Sequence, residues 1–312
     1  MSKCFYLLMS IVLLATGCTK DFDIDPGEAA PQYVIDGRIS NMQGPYYVRV
    51  TKTAKIGLDT FVTTLWYHNA EAVNDALVIM TDDRGMADTL SPVDHRDPRY
   101  NPIFGGSRGY YGTTRITGIP GHTYHLQVRI GHEVFQSSAY MPATVPVIDS
   151  VVFKKDLIAD PSGIMGDAVF AYFKEPQHEQ NYYLLQLNNI RDSSNDIARG
   201  FYADGVVFPF YVFDDKALPP YVEGMEVHTI ITDDYRRKRL SPYWVMPWWY
   251  PIQVRLSSLT RHTYEYFKAL EKQFLVDGNV YQPAPASASG NISGGALGLF
   301  WAANVSHKVA PR

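Results

Sequence analysis

Cysteine is almost missing from this chain: there are two in 312 residues, Cys4 and Cys18. Cys4 lies in an apolar leader, so cleavage before Cys18 would leave one thiol, which excludes both an internal disulfide and a Cys-ligated metal site. Long apolar runs are scarce too. The one at Phe5 to Ala15 is shorter than the ~20 residues of a membrane helix, and no second one follows residue 18. Nor is positive charge in excess. Against 28 Lys and Arg stand 32 Asp and Glu, a net charge of −4 with a pI near 6.1, so there is no basic field for nucleic acid. What the chain has instead is aromatic area, 22 Tyr and 15 Phe, which can stabilise a core that no disulfide holds.

Lys3, the apolar stretch and then Leu13-Leu14-Ala15-Thr16-Gly17-Cys18 read as a signal peptide over residues 1–17. A cleavage site followed by Cys resembles the lipobox of bacterial lipoproteins, although Ala15 stands where Leu is commonest. The resemblance implies acylation of Cys18, palmitate included, and a membrane anchor that two or more chains hold firmly. Removing Lys3 with the signal would take the net charge from −4 to −5. Residues 18–31 then form an acidic tether. Lys20-Asp21 just after the lipidated Cys resembles the surface-export signal of Bacteroidetes lipoproteins, with one of the usual consecutive acids present. A calcium loop on Asp21, Asp23 and Asp25 is excluded, because Pro26 and Gln32 occupy the places that require Gly and Glu.

From Tyr33 onward the pattern is β. Tyr33 to Ile35, Tyr46 to Val50, Ala76 to Met80 and the alternating Tyr124 to Ile130 are bounded by turn residues, among them Asp82-Asp83-Arg84-Gly85 and Gly131-His132. Their spacing predicts an immunoglobulin-like β-sandwich over 32–145. Pro142 and Pro146 mark a boundary near 145, and a second β-rich domain over 146–312 follows, with strands at Val151, Ala168, Tyr182 and Glu226. One helix is predicted over 260–274, with Tyr264, Phe267, Leu270 and Phe274 on one face, Thr260 as N-cap, and Leu259 and Tyr264 as a hydrophobic staple.

Several segments together carry a family resemblance. They are Tyr33 to Ile39, Gly44 to Val50, Gly121 to Leu126, Ser257 to Leu259 leading into Tyr264 to Tyr266, and Gly290-Asn291-Ile292-Ser293-Gly294-Gly295-Ala296-Leu297-Gly298-Leu299-Phe300. The chain resembles, over roughly residues 20 to 305, the Bacteroidetes lipoproteins built on domain of unknown function 4249. That resemblance implies an outer-membrane lipoprotein, often encoded beside TonB-dependent receptors, and supplies no catalytic residues. The Gly-rich stretch also reads structurally, as a tight turn at Gly294-Gly295 feeding a last strand from Leu297 to Ala302. It lacks the Lys and the following helix of a phosphate loop.

Few constellations carry chemistry. Gly105-Gly106-Ser107-Arg108-Gly109 has the letters of a nucleophile elbow without the strand-to-helix context that exposes the serine. His122 and His125, three apart in a strand, point to opposite faces, and with His132 they lack ligand spacing, so no metal is expected. The pairs Asp82-Asp83, Asp214-Asp215 and Asp233-Asp234 read as turn acids rather than a catalytic pair. Asp88-Thr89-Leu90 and Asp149-Ser150-Val151 resemble a short Bacteroidetes O-glycosylation sequon. The stronger lead is Tyr243-Trp244-Val245-Met246-Pro247-Trp248-Trp249-Tyr250, aromatic and framed by prolines. It suits ligand or partner binding by Tyr243, Trp244, Trp248, Trp249 and Tyr250, or a lid over the domain's own core. The loop from His95 to Tyr111 is a second candidate surface.

The reading is a mainly β, non-enzymatic outer-membrane lipoprotein that needs no cofactor. It would serve as an accessory ligand-binding or docking partner of a TonB-dependent transporter. The alternatives are a surface hydrolase of glycans or peptides and a purely structural surface protein.

Overall fold

The computed structural model describes residues 30–53, 71–94, 109–158, 165–177, 179–189, 211–231, 252–276 and 288–310. The first half supplies β1 (Tyr33–Ser40), β2 (Tyr47–Lys52), β3 (Glu71–Ala72), β4 (Leu77–Asp82), β5 (Ala87–Thr89), β6 (Ser91–Pro92), β7 (Tyr110–Gly112), β8 (Thr123–Ile130) and β9 (Glu133–Tyr140). The second supplies β10 (Ile148–Ile158), β11 (Met165–Lys174), β12 (Tyr182–Asn189), β13 (Tyr211–Asp214), β14 (Tyr221–Ile231), β15 (Ile252–Leu259), α1 (Arg261–Val276) and β16 (Phe300–Ala310). The fold is mainly β, as the strand patterns predict.

Period-two alternation builds the smaller sheet, ordered β5-β4-β8-β9. In β8, Tyr124, Leu126, Val128 and Ile130 are buried while His125, Gln127 and Arg129 are exposed. Its inner face packs on Ile35, Ile39, Val48, Val50 and Tyr111 of β1, β2 and β7, closing a two-sheet sandwich. The second half repeats the scheme. The three-stranded sheet β10-β11-β14 sets Val169, Ala171 and Phe173 against Tyr183, Leu185, Val254 and Leu256 of β12 and β15.

Both halves share one nine-stranded sheet, in the order β13-β12-β15-β16-β1-β2-β7-β6 with β3 beside β2. The joint is β16, antiparallel to β15 and parallel to β1, with Gly37 opposite Phe300 and Ser40 opposite Ala303. From Phe300 to Val305 this strand is buried on both faces. Phe300 and Ala302 enter the sandwich core, while Trp301, Ala303 and Val305 face α1. The boundary expected near 145 is where the cores change, between Met141 and Ile148. The large sheet continues across it, and Pro31–Arg312 form one compact unit.

The helix starts where its cap predicts. Thr260 Oγ1 accepts the Thr263 N–H at 3.3 Å and Thr260 O accepts that of Tyr264 at 3.0 Å. Leu259 and Tyr264 join the same apolar cluster, and Phe267 meets Trp301 edge-on at 5.2 Å. The last strand differs from expectation. The Gly294-Gly295 turn is present, but the strand runs Phe300–Ala310 rather than Leu297 to Ala302. Its extension through Ser306, His307 and Lys308 follows from pairing with β15 rather than from apolar pattern.

Candidate functional site

The outer face of the smaller sheet is built by cross-strand register. Thr81, His125 and Ser138 form one row across β4, β8 and β9, and Ile79, Gln127 and Gln136 form the next. Residues opposite each other in a ladder point the same way, so five polar side chains share one surface with Ile79. None of the five takes part in a hydrogen bond or ion pair. They line a shallow cavity of about 550 Å³. A second, of about 370 Å³, continues past Ser138 and Asn291 to Tyr140 and to Thr260, His262 and Thr263 at the start of α1. The two share Ser138 and Asn291 and so form one groove.

The wall of the groove is the Gly-rich stretch. Ser293 N donates to Gln136 O at 2.8 Å, and its hydroxyl accepts the Gln136 N–H at 2.8 Å. Asn291 Nδ2 donates to Ser138 O and Phe300 O, while its Oδ1 accepts the Phe300 N–H at 2.9 Å. On its other side the stretch bonds β1, with Leu297 N to Tyr33 O at 2.8 Å and Ile35 N to Leu297 O at 2.9 Å. Gly298 makes this possible. Its φ is +103°, and a Cβ there would overlap the Ile35 carbonyl. The stretch therefore occupies the backbone edge of β9 and leaves only the side-chain face open.

A second polar face lies on the large sheet, away from the sandwich core. Asp36 and Arg49 are ladder partners, and Leu299 N donates to Asp36 Oδ1 at 3.4 Å. Arg49 stacks on Tyr110 at 5.4 Å and Arg38 on Trp301 at 5.0 Å. The Arg49 Nε is buried without an acceptor.

Residues 19–309 match the family described as a domain of unknown function (DUF4249). The chain belongs to this family. Among curated proteins none matches. A solved structure of the tetra-tandem repeat in the extending region of a large adhesion protein aligns with this DUF4249 chain at 10% identity and a TM-score of 0.18. The alignment covers 74% of the DUF4249 chain and 46% of the other. At that score the likeness carries no structural argument.

The residues singled out by sequence fall in three groups. Cys18, Lys20, Asp21, Tyr243, Trp244, Trp248, Trp249 and Tyr250 lie outside the described residues, as does the His95 loop up to residue 108. Of the elbow-like letters only Gly109 is described, and it accepts the Val50 N–H at 2.8 Å. Tyr111, at the end of that loop, is core: its hydroxyl donates to Val73 O and accepts the Ala76 N–H. The third group is the acids, and those described hold turns. Asp82 accepts Arg84 Nε and Nη2 at 3.0 and 2.7 Å, together with the N–H groups of Arg84 and Met86. Burial would raise its pKa, but these donors outweigh burial and hold it low. Asp83 joins His122 Nδ1 at 2.7 Å, Asp214 pairs with Lys216, and Asp215 accepts the Asn181 N–H at 2.6 Å. Asp88, from the sequon-like triplet, is fully buried. It accepts the Thr114 hydroxyl and the N–H groups of Thr114, Arg115 and Ile116, while Thr89 stays exposed.

One buried acid was not legible at all. Glu175 is 2% exposed, accepts the Tyr183 hydroxyl at 2.8 Å through Oε1, and leaves Oε2 without a partner. Burial, with Asp215 and Glu179 nearby, raises its pKa. Burial and the Glu175 carboxyl also push the Tyr183 phenol up. Among the described residues no three His, Cys, Asp or Glu side chains converge for a metal ion.

Proposed function

We propose that this chain is a lipid-anchored outer-membrane protein that acts by binding, as a ligand-binding or docking accessory of a TonB-dependent transporter. Cys18 carries the acyl anchor, and Lys20 and Asp21 the export signal of a Bacteroidetes lipoprotein. The observation that carries the binding reading is the make-up of the groove. Among the described residues, no Asp, Glu, Lys or Arg side chain lines either cavity. Glycoside hydrolysis needs two carboxyls facing the bond, and the described acid pairs are engaged in turns elsewhere. His125 and Ser138 are neighbours across the ladder but share no hydrogen bond, and no acid among the described residues lines the cavity to orient the imidazole. A pocket that offers polar contacts without an acid–base pair or an activated nucleophile suits recognition.

The aromatic segment holding Tyr243, Trp244, Trp248, Trp249 and Tyr250 belongs to this reading as the contact with the transporter. Lipidated protein drawn from native outer membranes should bring a TonB-dependent receptor with it, identified by mass spectrometry. Recovery of no receptor, under conditions that preserve known complexes, removes the docking role. Replacing Trp248 and Trp249 by Ala should weaken the association at unchanged thermal stability. Unfolding of that variant would instead assign both rings to the core.

A further inference from the structure

The geometry points to an uncharged oligosaccharide as the ligand of the groove between the smaller sheet and the start of α1. This rests on the binding reading above and names the ligand class. The groove offers Gln127 and Gln136 paired across the ladder, Thr81 and Ser138 hydroxyls, and the His125 imidazole, all uncommitted. Amides and hydroxyls donate and accept at once, as sugar hydroxyls do. An apolar ligand would cover these groups and leave them unpaired, which is unfavourable for each one.

The charge of the lining favours a neutral ligand over an ionised one. Among the described residues the lining carries no acid and no Lys or Arg. Arg129, on the same face, belongs to the row beyond Gln127, and Asp83 is held by His122 Nδ1 at 2.7 Å and the Thr123 N–H at the other end. An extended peptide is disfavoured for a different reason. Peptides added to a sheet pair with its backbone edge, and here Ser293 and Asn291 already occupy that edge of β9. What stays open is a side-chain surface ending in Tyr140, whose side chain is 45% exposed. Its ring gives a flat apolar face for the C–H side of a pyranose, and its hydroxyl stays polar. A chain molecule several units long would run from the Gln127–Gln136 row past Ser138 to Tyr140 and His262.

The full-length lipidated protein in detergent should be titrated calorimetrically with neutral gluco-, manno-, galacto- and xylo-oligosaccharides of four to six units. Uronate-bearing oligosaccharides and an extended neutral peptide serve as comparisons. Binding of at least one neutral series is expected, with Q127A or Q136A weakening it about tenfold and Y140A weakening it further. K154A, on the exposed part of β10, should leave it unchanged. Each variant is first checked to melt at the wild-type temperature. Three results would overturn the assignment: no heat with any neutral series at millimolar sugar, preference for the uronates or the peptide, or equal binding by Q127A and Q136A. The receptor pull-down, repeated with Q127A, separates this from the docking role. A receptor that still comes down while no sugar binds leaves the docking reading standing and removes the sugar.

Discussion

Single carboxyl groups set opposite pH limits on this protein. Asp82 and Asp88 are buried, yet dense hydrogen bonding holds both below the ordinary value of 3.8. Each therefore stabilises the fold above that value, and the contribution disappears as pH falls through the depressed pKa. Glu175 works the other way. Its pKa lies above the ordinary 4.5 because burial disfavours the charge. Its contribution is complete below that value and is lost as pH rises through the raised pKa. Glu175→Gln keeps an oxygen for the Tyr183 hydroxyl and removes the ionisation. Thermal melts from pH 3 to pH 8 should show the variant above wild type at pH 7, by about 2–4 °C per kcal/mol relieved, with the gap closing towards pH 4. A constant gap across that range would mean that Glu175 ionises in the fold without penalty. Nothing in the sequence marks Glu175, because its burial comes from β11 meeting Asn181 and Tyr183 across a turn.

At the scale of elements, alternation is what the sequence displays and its failures are informative. β8 reads directly as a strand, outward residues included, so two of the five polar side chains of the candidate groove were visible, His125 and Gln127. The Gly131-His132 turn brings β9 beside it locally, whereas the placement of β4 and the wall at Asn291 depend on contacts far apart in sequence. β15 escapes the rule because its buried positions carry Gln253, Arg255, Ser257 and Ser258. Two of them satisfy one another, Arg255 Nε donating to Gln253 Oε1 at 2.7 Å. The Gly-rich stretch was legible as a turn, whereas its bonds to two different sheets were not. Two glycines test its fit. Gly298→Ala meets both a left-handed φ and the Ile35 carbonyl, and should cost about 3 kcal/mol or more. Gly85→Ala has the same backbone problem at φ +91° with open space around it, and should cost about 1 kcal/mol. Urea melts of the two variants give both values, and equal losses would mean the stretch yields easily.

For the whole molecule, the proline-marked boundary near 145 separates two cores but not two independent bodies. A fragment of residues 31–145 lacks Phe300 and Ala302 from its core and leaves β1 without its parallel neighbour. It should show no cooperative melting transition by circular dichroism. Mixing it with a peptide of residues 288–312 should restore one, whereas a sharp transition of the fragment alone would show that β16 is dispensable.

The position of β16 also sets a schedule. Tyr33 to Tyr140 leave the ribosome early, yet the strand that completes their core is translated only after the whole second half. Until then β1 exposes an open edge, and non-local pairing of this kind closes slowly. The core of the first half therefore stays incomplete until Phe300 and Ala302 are made, long after the rest of it. A product terminated before Phe300 would lack that strand and present the open edge of β1, the kind of surface that chaperones and proteases engage.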